Sequence, residues 1–376
     1  MSYMFYGCQN IVSIDLRSLE TPDLTLLSFS FSGCSSLQYI NLDNMETSKV
    51  IKMDGMFQNC HFLASLNLSN FNTESVQYMN QMFDQCHSFT FLNLSNFQTP
   101  SLINMAAMFY NNKNLEYLDI SNFNTTLVTH MHQAFDSCHS IKILNLSHFH
   151  TPSLISIWHI FFSCSKLEFL DISNFNTEKI NNMENLFINC NSLKTLILTN
   201  FDTSSVTTMH QMFFGCSSLE NIDLSSFNTT SVKLMDNMFN GCKQLKYLNL
   251  SNFNTSSVET MEKMFHECNK LEILDISSFN TESVIKMNHM FKHCDKLKYL
   301  DLKHFKTPKL ETMNEMFCVC NSLEYLDISN FDTTKIQDMS YVFFYCQSLE
   351  SINIPNFDTS SVKTMEHMFN NCNKLH

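Results

Sequence analysis

The sequence predicts an α/β solenoid: a curved array of about 14 turns, each 26-residue turn carrying one parallel strand and one short helix. Three columns of identical residues predict it. Stepping by 26 from Cys8, the positions 34, 60, 86, 138, 164, 190, 216, 242, 268, 294, 320, 346 and 372 are all Cys, and only Asn112 interrupts them. Phe fills every position of its own column, from Phe5, Phe31, Phe57 and Phe83 through to Phe369. Thr recurs as strictly, from Thr21, Thr47 and Thr73 to Thr359. A fixed period of this length marks stacked supersecondary units, none of which can bury its apolar face alone. The chain therefore reads as one solenoid over 1–376, although its length alone would suggest two or three globular domains. It is cut within a repeat at both ends, since Met4-Phe5 and Cys8 match the end of a turn and Asn371-Cys372 the middle of one. It reads as a piece of a longer protein.

The elements follow from one turn, Leu193 to Cys216. Leu196 and Leu198 share one face of an extended segment, with Thr195, Ile197 and Thr199 on the other, which is a strand. Thr203 then stands where a helix would begin, and Thr is a favoured N-cap because its hydroxyl accepts from an orphan N–H of the first turn. Proline agrees with this placement: Pro22, Pro100, Pro152 and Pro308 each follow the column Thr, the first helical position, where a missing N–H costs nothing. Val206, Met209, Met212, Phe213 and Cys216 make one apolar stripe at helical spacing. The residue before the Cys is often Gly or Asn (Gly7, Gly33, Gly215, Gly241, Asn59, Asn111, Asn189, Asn371), the types that tolerate the left-handed conformation ending a helix. Strands stack at about 4.8 Å and helices are about 10 Å across, so the array should curve with the strands inside.

The string Leu-x-x-Leu-Asp/Asn-Leu-Ser-x-Phe-x-Thr-x-x-Val-x-x-Met-x-x-Met-Phe-x-x-Cys, seen well in Leu271 to Cys294, resembles the repeat of BspA-like leucine-rich-repeat surface proteins. The resemblance covers nearly the whole chain, and its Thr-x-x-Val-x-x-Met-x-x-Met-Phe segment is far more specific than leucine spacing. It implies a leucine-rich-repeat-like fold and a surface-exposed or secreted recognition protein, often one of adhesion, without catalysis. It carries over no ligand residues.

Composition narrows the partners. Lys and Arg number 23 against 36 Asp and Glu, so a net charge of −13 opposes nucleic-acid backbones and anionic lipid surfaces. No run of eighteen apolar residues could insert in a membrane. The first residues carry no basic region followed by an apolar run, so no signal peptide is legible. The regular cysteine column, set among other apolar columns, reads as buried free thiols packing as small hydrophobes, with disulfides between turns as the alternative.

Candidate sites lie where a column varies. Seven turns place an aromatic just before the second strand leucine: Tyr39, Phe91, Tyr117, Phe169, Tyr247, Tyr299 and Tyr325. On the concave sheet these would form a ligand-binding surface, since exposed aromatics offer large contact area at little entropic cost. The alternative is that aromatics are simply good strand residues. Two residues on runs a column of Asp or Asn, from Asp15 and Asn41 to Asn353, which reads as a solvated polar ladder more readily than a calcium site. His130, His132, His139, His148, His150 and His159 cluster in sequence but fall at different points of the turn, a poor basis for zinc. Cys318 beside Cys320 reads as an incidental thiol, and the 24 Met as core rather than copper ligands. Sequons at Asn67, Asn93, Asn124, Asn145, Asn228, Asn249 and Asn254 arise easily in so Asn- and Ser-rich a chain.

No cofactor and no enzymatic activity are expected, because no residue departs from the repeat in a way that marks catalysis. The expected function is recognition or adhesion at a cell surface or outside the cell, through a protein or glycan partner on the concave sheet. The rival is an intracellular protein–protein scaffold in the cytoplasm. The sequence does not set the oligomeric state.

Overall fold

A computed structural model describes residues 1–376. The chain forms two compact units, Met1–Ile180 and Asn181–His376. Each is a parallel β-solenoid. In the first unit the strands are β1 (Ser13–Asp15), β2 (Tyr39–Asn41), β3 (Phe91–Asn93), β4 (Tyr117–Asp119), β5 (Ile143–Asn145) and β6 (Phe169–Asp171). In the second they are β7 (Thr195–Ile197), β8 (Tyr247–Asn249), β9 (Ile273–Asp275), β10 (Tyr299–Asp301), β11 (Tyr325–Asp327) and β12 (Ser351–Asn353). Pairing is parallel and in register by one repeat, as in Phe91 with Tyr117, or Tyr299 with Tyr325, in short sheets that break between β4 and β5 and between β9 and β10. The central residue of each strand points inward and its neighbours outward, the period-2 pattern read from the sequence.

The helices are absent, and this corrects the predicted α/β class. Opposite the sheet, each turn runs through short turns that bond to the next rung. Met53, Gly55, Phe57 and Asn59 donate their N–H groups to the carbonyls of Tyr78, Asn80, Met82 and Asp84 at 2.8–2.9 Å. The intervening Met56, Gln58 and Cys60 donate three residues back, to Met53, Gly55 and Phe57, at 3.1–3.2 Å. Gly55 and Asn59 hold φ values of 54° and 60°, a left-handed residue twice in five positions, which no α-helix accommodates. A single helix of about ten residues is marginal alone, whereas stacked turns satisfy the same N–H groups between rungs. The left-handed residue before each Cys was read correctly as a conformation and wrongly as a helix stop. A parallel ladder also links the far wall, through Leu26, Lys52, Tyr78, Asn104 and His130 in the first unit and Thr208, Leu234, Thr260 and Lys286 in the second. Both walls thus step by strand-like bonding, so the width of a helix is no ground for curvature.

Threonine is reassigned with the helix. Buried Thr203 donates its hydroxyl hydrogen to the Asn228 carbonyl at 2.8 Å and accepts from the Asn228 N–H at 2.8 Å. Thr47 makes the same pair with Asn72. The column is a clamp between rungs. Its own carbonyl closes a tight turn three residues on, as Leu24 N–H to Thr21 shows. Proline after Thr is therefore the second residue of a β-turn, a place as suited to its fixed φ as the start of a helix.

The core consists of columns stacked on themselves. The invariant Phe rings lie near-parallel from rung to rung, for example Phe57 on Phe83 with centroids 5.8 Å apart and planes 7° apart. The column cysteines are free, and all but the outermost, Cys8 and Cys372, are buried. Burial pushes their thiols up, to about 12 at Cys138 and at Cys242. Each Sγ–H is aimed at a carbonyl of the preceding rung, as Cys86 at Phe57 over 3.1 Å. Asn112 shows that the donor is what the position requires: its Nδ2 gives hydrogen bonds to Phe83 O at 2.8 Å and Phe109 O at 2.9 Å. The methionines Met53, Met79, Met209 and Met212 are fully buried beside these rings.

Candidate interaction surface

The outward positions of the strands carry the variable chemistry. Tyr39, Phe91, Tyr117, Tyr247, Tyr299 and Tyr325 are all exposed, and Phe169 partly so. Phe91 stacks face to face on Tyr117, centroids 4.8 Å apart. Tyr39 stands apart, paired with Ser13 and not with another aromatic. Sequence reasoning missed two members: Ile143 and Ile273 occupy the same column and are 70 % and 59 % exposed. Restricting the column to aromatics hid them, although β-branched residues suit the same position. With them each unit carries a four-rung apolar ladder, Phe91-Tyr117-Ile143-Phe169 in the first and Tyr247-Ile273-Tyr299-Tyr325 in the second. A hollow of about 480 Å³ opens beside Tyr117 and Ile143, and one of about 170 Å³ between Tyr299 and Tyr325.

A charged column one residue earlier was also missed. Glu116, Lys142, Glu168, Lys194, Glu220, Lys246, Glu272, Lys298 and Glu324 alternate in sign without a break. The signal was present in the 26-residue alignment. It is invisible to local pattern reading, since no two members lie within one turn.

The Asp/Asn column is explained without a metal. Its Oδ1 accepts the N–H two residues on: Asn93 from Ser95 at 2.9 Å, Asp119 from Ser121 at 3.0 Å, Asp275 from Ser277 at 3.0 Å. Only an acceptor oxygen is needed, so Asp and Asn interchange. The Ser121 hydroxyl and N–H hold the Asp119 carboxyl below its usual range, and at Asp327 the Ser329 hydroxyl and N–H with the Asn353 amide hold it at about 2. The sequons at Asn67 and Asn93 are these turns, and those at Asn228 and Asn254 repeat the bond in the column before Thr, with the Ser or Thr supplying the bonded N–H in each.

The histidines do not converge. His139 donates to Ser163 O at 2.7 Å and His148 to Ile120 O at 3.1 Å, while His130 bonds Thr129 Oγ1 at 2.8 Å. His132 stacks on Trp158, and burial lowers its pKa. No three His, Cys, Asp or Glu side chains are grouped to hold a metal ion. Burial pushes the extra thiol of Cys318 up to about 11, away from reactivity at neutral pH. No helix is long and apolar enough to cross a membrane.

Solved structures similar to this chain are found at low identity. A leucine-rich repeat protein from Bacteroides ovatus is 18% identical, with 100% of this chain and 80% of that chain covered and a TM-score of 0.48. A leucine-rich cell surface protein from Faecalibacterium prausnitzii is 20% identical over 87% of this chain and 82% of that one, TM-score 0.42. An internalin from Listeria monocytogenes is 14% identical over 89% and 88%, TM-score 0.27. No curated protein matches the sequence. The repeat itself is decisive: matched over residues 1–115, 90–168, 155–269, 235–326 and 294–376, the chain belongs to the family described as Mycoplasma protein of unknown function, DUF285.

Proposed function

We propose that this protein is a non-enzymatic recognition solenoid that binds a protein or glycan partner on its sheet face, as a single array presented at the cell surface. The observation that carries the reading is the pair of four-rung apolar ladders, largely exposed at positions where strands also form with Ser13, Thr195 or Ser351. Apolar side chains kept in water where polar ones would serve mark a contact surface. The surface location is supported by the resemblance to BspA-like repeats, and a non-catalytic role by the adherence of the whole chain to its repeat.

Replacing Tyr247, Tyr299 and Tyr325 together with Ser tests the reading. Solvent-face changes stay within about ±0.5 kcal/mol each, so the melt should remain near wild type. Binding to cells or to a captured partner should weaken at least about tenfold, which needs only about 1.4 kcal/mol from three contacts. Equal binding by both proteins would move recognition off the sheet face. Antibody labelling of intact cells of the producing organism tests location, and labelling only after lysis would favour an intracellular scaffold.

A further inference from the structure

We infer that the sheet face of the second unit docks on the same face of a second copy of this chain, forming a two-fold dimer with the rung order reversed. The inference rests on the sheet face being a docking surface. Its own support is the charged column, which is self-complementary. Consider a two-fold axis lying along the strand direction, midway between the rungs of β9 and β10. It keeps each column facing its own column and reverses the rungs. Glu272 then faces Lys298 of the second copy, and Lys246 faces Glu324, each twice by symmetry. The same operation sets Ile273 against Tyr299 and Tyr247 against Tyr325, so apolar rungs meet only apolar rungs.

Charge excludes half of the registers, and the ends of the apolar ladder choose among the rest. Shifting the axis onto a rung would set Glu against Glu and Lys against Lys along the whole column, because like charges recur at every second rung. Within one chain the alternation is only partly used. Lys246 pairs with Glu220 at 2.9 Å, while Glu272 and Lys298 are exposed and have no ion-pair partner of their own. The next rungs outward, Glu220 and Glu350, would meet as like charges at the ends of the patch; Lys374 stands 3.8 Å from Glu350, and Lys246, 2.9 Å from Glu220, would be shared with the facing Glu324. Beside them the ladder ends in polar Asn221 and Ser351, which bounds the patch. The hollow between Tyr299 and Tyr325 offers a seat for a side chain from the opposing ladder.

Four rungs at about 4.8 Å span roughly 19 Å, short for a standard interface, so the association is weak and is sought at high concentration. Sedimentation of the full chain from about 1 to 500 µM should show the mass rising toward twice the monomer. Lys298→Glu, which sets Glu272 against glutamate, should weaken association at least about tenfold. The chain carrying both Glu272→Lys and Lys298→Glu restores opposite charges across the interface while placing like charges next to each other along its own ladder. It should recover to within about threefold of wild type. A wild type that stays monomeric throughout, or a double variant no better than Lys298→Glu, would overturn the proposal. A monomeric wild type whose Tyr247/Tyr299/Tyr325 variant still loses its partner overturns only the dimer. A dimer broken by that variant, with cell binding unchanged, would overturn the recognition reading instead.

Discussion

Replacing Thr203 by Ala distinguishes an inter-rung clamp from a helix cap. The hydroxyl donates to Asn228 O and accepts from Asn228 N–H, both at 2.8 Å, and Thr203 is 0 % exposed. Two hydrogen bonds at about 0.5–1.5 kcal/mol each give about 1–3 kcal/mol. The lost methyl adds about 0.8 kcal/mol. The expected cost is about 2–4 kcal/mol for Thr203→Ala, against about 1 kcal/mol for a helix cap. Thr203→Ser keeps both bonds and should cost about 1 kcal/mol. Urea unfolding reads the total. Because a repeat array opens locally as well as globally, amide exchange at Asn228 reads the clamp itself. Loss of less than about 1 kcal/mol in the Ala variant with Asn228 protection unchanged, or Ser as damaging as Ala, would refute the clamp.

Asp136 makes a pH-dependent test. It is 4 % exposed, and burial raises its carboxyl to about 6. Its folded pKa lies above the unfolded value of about 3.9, so the folded state holds the proton more tightly and stability falls as pH rises between about 4 and 6. Asp136→Asn should therefore stabilise the protein at pH 7.5 by up to about 3 kcal/mol and leave it unchanged below pH 4. A gap in urea midpoint that does not widen with pH would contradict this. Asn112→Cys restores the column donor to Phe83 and removes a buried Oδ1 that has no partner, so a gain of about 1 kcal/mol or more is expected in the same assay. A loss would show that the amide's second bond, to Phe109, matters more than its orphaned oxygen.

The period, the parallel strands, the inward columns and the left-handed residue before each Cys were all legible in the sequence. The helix was not. Its stripe from Val206 to Cys216 has helical spacing, yet the positions that forbid a helix carry little sign of it. The second left-handed residue of each turn is Gly only at Gly55. Asn, which also tolerates it, stands only at Asn185 and Asn237, and elsewhere come Gln, Ala, Lys and Glu, as at Gln81, Ala107, Lys263 and Glu315, types that favour helices, with aromatic and His residues at the other turns. Bonding between rungs overrides those preferences, since each turn gains its N–H partners from a neighbour 25 residues away. Thr and Pro misled for a related reason, because a helix start and a β-turn impose the same φ on the residue after Thr.

The same logic separates what the fold demands from what function can use. Phe stacks on Phe of the next rung, and Cys and Thr bond the backbone of a neighbouring rung, so a single substitution in these columns disturbs two rungs at once, which fits their near-invariance through the chain. The charged column is demanded in part, because like charges at about 4.8 Å would repel and alternation relieves this. Nothing in the ladder demands its apolar neighbour. Ser13, Thr195 and Ser351 hold that position in β1, β7 and β12 as Tyr299 does in β10, whereas the rungs of Ser65 and Asn221 form no strand. Four consecutive apolar rungs in each unit are therefore information the scaffold does not require, and a partner surface is the physical agent that would select them.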